Sequence, residues 1–310
     1  MLFRSEVRVL LVQGGVAQDE KWHAGNAKEI YDKYRKMTLR YTTLADFDLV
    51  IWPESSLPFS LNEKFNEIYL NELLSTKDFE LVLGINENVI NEGVFNSIVA
   101  MRGNVSTPRT YRKIHLVPFG EFVPFRDTLP FLDKIASSEI GIDFDRGEIA
   151  EPILMEKPQP YSIIPLVCFE DTFGNLARRF VRNTPQLIVN VTNDGWFGHS
   201  AASAQHLANA MFRCIELRRP MARAANTGIT CLVDSCGSLY DRWADDQGGK
   251  RQVMDPSTGN TFIEESLPEM VSVPVNPPRT LYARVGDTFS IGLGLLSLIA
   301  ASRGLCRLKP

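Results

Sequence analysis

Residues Ser162-Ile-Ile-Pro-Leu-Val-Cys168-Phe-Glu170-Asp-Thr-Phe-Gly174 form the most informative segment of the chain: an apolar run ends at a single cysteine, and acidic residues follow. In residues 175–182 the apolar side chains recur at helical intervals. The pattern predicts a buried strand, a sharp turn carrying Cys168, and a helix. A thiol on such a turn lies at a sheet edge and faces the positive end of a helix dipole, which favours the thiolate. Cys168 is therefore a candidate nucleophile.

Cys168 also has a purely structural interpretation. Free cysteine is among the most buried residue types and packs as a small apolar side chain. For a cysteine considered alone, a packing role at the end of a core strand is the more frequent outcome. Other residues of the chain are therefore needed to distinguish a packing role of Cys168 from a catalytic one.

The composition narrows the class of protein. A chain of 310 residues can bury a large core, in one α/β domain or two smaller ones. The net charge of −4 and pI near 5.7 give no basic field, so we expect no nucleic-acid partner. Five cysteines without a CxxC pair, and four histidines without metal-ligand spacing, predict no disulfide framework and no metal site. Residues 1–8 contain no apolar signal core, so no export signal is expected there.

Strands alternate with helices along the chain, which is typical of an α/β sheet. Besides the strand before Cys168, β-rich apolar runs predict strands at Val7–Gln13, Asp48–Trp52, Phe79–Ile85, Val94–Met101, Thr110–Lys113, Gln186–Val191, Met221–Ala225, Ile229–Asp234 and Glu269–Val275. Helical patterns cover residues 25–44, 61–74 and 200–219. Residues 117–130 are predicted to form a loop that holds Glu121, and residues 133–157 and 242–268 are predicted to be irregular.

Glu54, Lys113 and Cys168 each lie at the end of a predicted strand. A thiol nucleophile needs a base for its proton, and a carboxylate shielded from water with a raised pKa can serve. A fixed ammonium beside the two favours the thiolate and stabilises an oxyanion. The three residues are therefore chemically sufficient for acyl transfer, although their spacing alone does not select them.

Four motifs in order resemble the nitrilase (carbon-nitrogen hydrolase) superfamily. They are Trp52-Pro-Glu-Ser55, Tyr111-Arg-Lys-Ile-His-Leu-Val-Pro-Phe-Gly-Glu-Phe-Val-Pro124, Val167-Cys-Phe-Glu170 and Asn193-Asp-Gly-Trp-Phe-Gly198. The long lysine motif resembles one branch in particular, the apolipoprotein N-acyltransferases, which attach the third acyl chain to bacterial lipoproteins. The likeness runs from about Val7 to the C-terminus and is weakest over residues 131–160 and 242–268.

The resemblance implies a role for individual residues. The family's general base corresponds to Glu54, its oxyanion-stabilising lysine to Lys113 and its nucleophile to Cys168. Glu121 corresponds to a further active-site carboxylate, and Glu170 is expected to support the turn or orient a partner.

Aromatic residues in and near these motifs have structural and functional interpretations. Trp196 and Phe197 are candidates for an acyl-chain groove or for ordinary core packing. His115, inside the lysine motif, is expected to be structural. Phe169 stands where this branch commonly has tyrosine, which removes a hydroxyl donor beside Cys168.

The fold implied by the resemblance is the nitrilase four-layer α-β-β-α sandwich. The implied function is transfer of an acyl chain from a phospholipid, through a cysteine thioester, to the N-terminal diacylglyceryl-cysteine of an apolipoprotein, without a cofactor or metal. The implied location is the bacterial inner membrane, with the catalytic domain on its periplasmic face. Two alternatives stay open: a soluble amidase that hydrolyses C–N bonds, and an inactive domain that binds lipid or a partner.

The chain departs from the family's pattern at its start. The family carries a bundle of membrane helices ahead of the catalytic domain, and none precedes Val7 in this sequence. A fragment, a split gene product and a shortened relative are all compatible with this difference. We expect a catalytic domain over residues 1–278 and a tail over residues 279–310. The uncharged run Thr288–Ser302 in that tail is either a stub of a membrane helix or a buried core helix.

Overall fold

The computed structural model describes residues 4–21, 24–126, 128, 143–198, 200–239, 251–255 and 257–307. The strands are β1 (Arg4–Gln13), β2 (Leu49–Trp52), β3 (Glu80–Val89), β4 (Gly93–Arg102), β5 (Asn104–Arg112), β6 (Ile153–Met155), β7 (Tyr161–Val167), β8 (Gln186–Thr192), β9 (Met221–Ala225), β10 (Cys231–Val233) and β11 (Glu265–Pro274). The α-helices are α1 (Gln18–Lys21), α2 (Ala27–Thr42), α3 (Lys64–Thr76), α4 (Gly174–Ala177), α5 (Ala202–Leu217), α6 (Leu281–Val285) and α7 (Thr288–Arg307). Short 3₁₀ helices cover Ala24–Asn26, Cys168–Thr172, Arg178–Phe180 and Asp194–Phe197.

The strands form two sheets. One has six strands in the order β11-β1-β2-β3-β4-β5, and the other has five in the order β10-β9-β8-β7-β6. Strands β1, β2 and β3 are mutually parallel, as are β7, β8 and β9, whereas the outer strands pair antiparallel. The carboxyl ends of parallel strands meet at one sheet edge, which is where open α/β sheets place their sites.

The alternation of side chains along the strands separates the layers. In β1, Val7, Val9 and Leu11 belong to the core between the sheets, while Leu10 and Val12 belong to a second core under the helices. Helices α2 and α3 cover that second core with apolar side chains spaced along one face: Ile30, Tyr31, Tyr34, Met37, Leu70, Leu73 and Leu74. Each large side chain so buried contributes about 1.5–3 kcal/mol. Helix α5 covers the five-stranded sheet in the same way. The predicted four-layer α-β-β-α sandwich is therefore confirmed.

Three local predictions were wrong. The single helix expected over residues 175–182 is instead the four-residue α4 followed by a 3₁₀ turn. The last strand begins at Glu265 rather than Glu269. Strand β6 lies inside the segment predicted to be irregular, of which residues 133–142 lie outside the described part of the chain. Residues 242–250 of the second irregular segment lie outside it as well.

Helix α7 is exposed over residues 288–302, where burial is described. Its large apolar side chains there are 48–73% exposed, as for Ile299 and Phe289, so the alternative of a buried core helix was wrong. Within the described ranges, no helix has both the length and the apolar character needed to cross a membrane.

Candidate active site

Glu54 lies on the loop that leaves the carboxyl end of β2. Pro53 ends the strand, and the Glu54 side chain turns inward, where the residue is 8% exposed. Gly84 of the neighbouring β3 makes this position possible. A Cβ on Gly84 would lie 2.5 Å from the Glu54 Cα and 2.8 Å from the Pro53 carbonyl oxygen. A glycine is therefore required where the strand meets the loop.

Lys113 follows β5, and its side chain reaches toward Glu54. Its side chain is 1% exposed, and Nζ lies 2.8 Å from Glu121 Oε1 and 3.9 Å from Glu54 Oε1. Asn96 Nδ2 in β4 donates to both carboxylates, at 2.8 Å to Glu54 and 2.9 Å to Glu121. The structure thus brings Glu54, Lys113 and Glu121 into one hydrogen-bonded cluster, with Asn96 as a fourth member.

No motif in the sequence marks Asn96. The only sign of its role is that a polar residue interrupts the apolar run of β4; in the folded chain Asn96 is 3% exposed. A buried amide between strand neighbours needs a hydrogen-bonding partner, and here it has two carboxylates.

Cys168 directly follows β7, with a backbone φ of 51°. The left-handed conformation is uncommon outside glycine and gives the chain a sharp bend at this residue. Asn190 Nδ2 donates 3.1 Å to the Cys168 carbonyl oxygen and holds the bend against β8. The partly buried thiol interacts electrostatically with Glu54 and Lys113, which places the three candidate residues near one another.

The ionisation of Cys168 differs from the expectation. A helix dipole was predicted to favour the thiolate, but the bend leads into a 3₁₀ turn rather than a long helix. Burial raises the pKa of the Cys168 thiol, and the negative charge of Glu54 raises it further, while Lys113 lowers it. The raised pKa favours the neutral thiol, and removal of its proton requires a base.

Glu54 has the properties of such a base. Burial raises the pKa of Glu54 above its ordinary value, with Lys113 opposing and Glu121 adding to the rise. A carboxylate with a raised pKa accepts a proton more readily near neutral pH. Burial alone would lower the pKa of Lys113, but Cys168, Glu54 and Glu121 together raise it, so the ammonium stays charged.

Glu170 joins the two halves of the site. Its Oε1 accepts hydrogen bonds from Tyr111 Oη (2.8 Å), Ile114 N (2.8 Å) and His115 N (3.0 Å), and its Oε2 accepts from Val167 N (2.9 Å). Burial raises the pKa of Glu170, whereas Lys113 and the backbone N–H donors lower it. Because all four of these partners are donors, the hydrogen bonds favour the ionised form. The segment around Lys113 and the bend at Cys168 are thereby tied to one side chain. His115, for which a structural role was predicted, takes part through its backbone.

A second buried charge cluster lies behind the bend. His206 of α5 approaches Asp171 with Nε2 (2.9 Å) and Asp194 with Nδ1 (3.0 Å), and Arg223 pairs with both carboxylates. Burial and Arg223 oppose a charge on His206, but its hydrogen bonds to Asp171 and Asp194 raise its pKa to about 9. Thr192 links the cluster to the site, because its hydroxyl bonds Asp194 (3.2 Å) and interacts with the Cys168 thiol.

Aromatic side chains lie at the surface beside Cys168. Phe169 is 44%, Trp196 69% and Phe197 38% exposed, so none of the three is ordinary core. The rings of Phe169 and Phe197 both approach the His206 ring, with centroids 6.0 and 6.1 Å away. Phe169 also meets Phe173 edge to face at 5.7 Å. An exposed apolar surface of this kind is available to a ligand.

The family model described as carbon-nitrogen hydrolase matches residues 11–276. The chain belongs to the carbon-nitrogen hydrolase family. Two similar curated proteins are apolipoprotein N-acyltransferases. That of Bradyrhizobium diazoefficiens is 33% identical, over 98% of this chain and 55% of that protein. That of Geobacter metallireducens is 35% identical, over 75% of this chain and 44% of that protein. The chain spans about half the length of the curated relatives it matches.

Solved carbon-nitrogen hydrolases share the fold. A carbon-nitrogen hydrolase from Helicobacter pylori G27 superposes with a TM-score of 0.59 at 14% identity, covering 86% of this chain and 88% of that one. A mutant of the amidase from Nesterenkonia sp. AN1, with acrylamide added to its active-site cysteine, gives 0.56 at 14% identity, covering 93% and 99%. Over the described residues, no group of three or more histidine, cysteine, aspartate or glutamate side chains is arranged to hold a metal ion.

Proposed function

We propose that this carbon-nitrogen hydrolase transfers an acyl chain from a phospholipid to the amino terminus of a lipoprotein. In the first half-reaction Glu54 takes the proton of the Cys168 thiol, and the sulfur attacks the ester carbonyl carbon. The ammonium of Lys113 and a backbone N–H stabilise the oxyanion. The ester C–O bond then breaks, and Glu54 returns the proton to the departing oxygen. Lysophospholipid is released, and the acyl group remains bound to Cys168 as a thioester.

The second half-reaction regenerates the thiol. The α-amino group of a diacylglyceryl-cysteine attacks the thioester carbonyl while Glu54 removes a proton from the nitrogen. The C–S bond breaks, and the proton passes to the sulfur of Cys168. The product is the N-acylated apolipoprotein, and the sequence of steps needs no diffusible cofactor.

The proposal is supported by the buried cluster of Glu54, Lys113 and Glu121, whose first two members interact electrostatically with the Cys168 thiol. The neutral resting thiol next to a base with a raised pKa supports proton transfer as the activating step. Glu121 holds the Lys113 ammonium at 2.8 Å and keeps it beside Glu54. The choice of lipid substrates rests on the similarity to curated apolipoprotein N-acyltransferases.

The exposed aromatic residues suit the acyl chain of the donor. We expect the chain to lie along Phe169, Trp196 and Phe197, which extend outward from the Cys168 bend. Burial of each methylene of a lipid chain contributes about 0.8 kcal/mol. The proposed setting is the periplasmic face of the bacterial inner membrane, where phospholipid and apolipoprotein meet.

A soluble amidase is the second candidate, because an amidase shares the fold. In that reaction water rather than an amine attacks the thioester. Purified protein is tested for ammonia release from small amides, and separately for acyl transfer from phospholipid in detergent to a diacylglyceryl-cysteine peptide. The proposal expects transfer without ammonia release. Ammonia release without transfer would overturn it in favour of the amidase.

A further inference from the structure

Lys21, the last residue of α1, is a buried cation that the reaction sequence above does not use. Its side chain is fully buried, and Nζ donates a 3.0 Å hydrogen bond to the backbone carbonyl oxygen of Glu54. Burial lowers the pKa of Lys21 to about 8, and the negative charge of Glu54 opposes this. A buried ammonium is costly unless an acceptor and an opposite charge compensate it. Glu54 supplies both.

The charges around Glu54 balance when Lys21 is included. Among the described residues, the ionisable groups with the largest interactions with Glu54 are Lys21 from α1, Lys113 after β5 and Glu121 from the loop beyond it. Cys168 after β7 interacts with Glu54 and also with Asp194 and Arg223, whose opposite charges pair with each other. With a neutral thiol, two ammonium groups offset two carboxylates. The balance persists when the thiol proton moves to Glu54, because the thiolate then replaces that carboxylate. Lys113 alone would leave one uncompensated negative charge in a buried site.

We propose that Lys21 is a positioning residue for the general base. Its hydrogen bond fixes the backbone of Glu54, and its charge keeps the Glu54 carboxylate ionised, so that the base can accept the Cys168 proton at neutral pH. This inference rests on the proposed role of Glu54. It adds a residue that makes no contact with the reacting sulfur in the mechanism.

The pH dependence of Cys168 alkylation tests this role. The rate of iodoacetamide modification is followed at the peptide that contains Cys168 by mass spectrometry. Because Glu54 and Cys168 titrate as a pair, the onset of alkylation reports the first ionisation of that pair. Lys21→Met keeps the length of the side chain and removes its charge. Its onset is expected to move upward by on the order of one pH unit, the usual effect of losing a nearby opposite charge.

Two control variants isolate the charge. Lys28→Met is the same substitution on the exposed face of α2, and its onset is expected to match the wild type. Lys21→Gln retains a donor for the Glu54 carbonyl oxygen but carries no charge, so its alkylation onset is expected to shift to higher pH as well. If Lys21→Met does not fold, Lys21→Gln takes its place in the test. A wild-type onset in a folded Lys21 variant, whatever its amplitude, would overturn the proposal.

Glu54→Gln separates this inference from the proposed function. If Glu54→Gln keeps the wild-type profile, the assignment of the base fails. If Glu54→Gln loses the pH-dependent onset while a folded Lys21→Met matches the wild type, only the role of Lys21 fails.

Discussion

Replacing Glu170 by glutamine should damage stability and reactivity together, because one carboxylate connects the two halves of the site. Glutamine preserves the shape but exchanges one oxygen for an NH₂ group. With its oxygen at the Oε1 position, the bonds from Tyr111, Ile114 and His115 persist without charge assistance, and each loses about 1 kcal/mol. The N–H of Val167 then faces another donor, which costs about 1–3 kcal/mol. Removal of the buried charge returns part of this sum.

The net destabilisation expected for Glu170→Gln is about 3 kcal/mol, a large share of the 5–15 kcal/mol typical of a folded domain. Guanidinium chloride unfolding followed by circular dichroism measures it, with the exposed Glu148→Gln as a matched control. Cys168 alkylation at neutral pH should slow in the folded fraction as the bend loses its anchor. A Glu170→Gln variant within about 0.5 kcal/mol of the wild type, with an unchanged alkylation rate, would refute the reasoning.

Three further perturbations test separate parts of the structure. Gly84→Ala places a Cβ 2.5 Å from the Glu54 Cα and should slow Cys168 alkylation at least about tenfold. Gly25→Ala is the control and should not slow it, because an added Cβ there meets no atom of the described residues within 4 Å. Equal alkylation rates in the two variants would contradict the close approach of Gly84 to Glu54. The raised pKa of His206, about 9, contributes stability that is fully present below about pH 6.5 and is lost as pH rises through 9. Over that interval the unfolding free energy of the wild type should therefore fall by about 3 kcal/mol more than that of His206→Gln. Urea unfolding that gives the same pH dependence for both proteins would exclude this contribution of His206. Trp196→Ala should raise the KM for phospholipid several-fold while leaving the melting temperature unchanged, and an unaltered KM would remove Trp196 from the acyl site.

The core strands were predictable because their patterns are local. Strand β7 is an apolar run that stops just before Cys168, and β2 stops just before Pro53, so both boundaries follow from single residues. The helix expected after Cys168 is only four residues long. The apolar residues that suggested it are nevertheless buried, because a short helix and a 3₁₀ turn bring Leu176, Ala177 and Phe180 into the core.

The site was predictable only in part. Glu54, Lys113 and Cys168 were selected by resemblance, and the folded chain brings them together. Asn96 and Lys21 both contact Glu54, which lies 42 and 33 positions away from them in the chain. No local sequence pattern marks such distant pairs. The direction of the Cys168 pKa was wrong because a dipole argument from sequence does not include burial, which here is the larger effect.

Intact-mass spectrometry of the protein after incubation with phospholipid in detergent tests the central claim most directly. We expect a mass increase of one acyl chain that maps to Cys168, is released by hydroxylamine and is lost in Cys168→Ala. Glu54→Gln should retain its fold and fail to acquire the adduct. Acylation that persists in Cys168→Ala, or that maps to another residue, would contradict the proposed thioester.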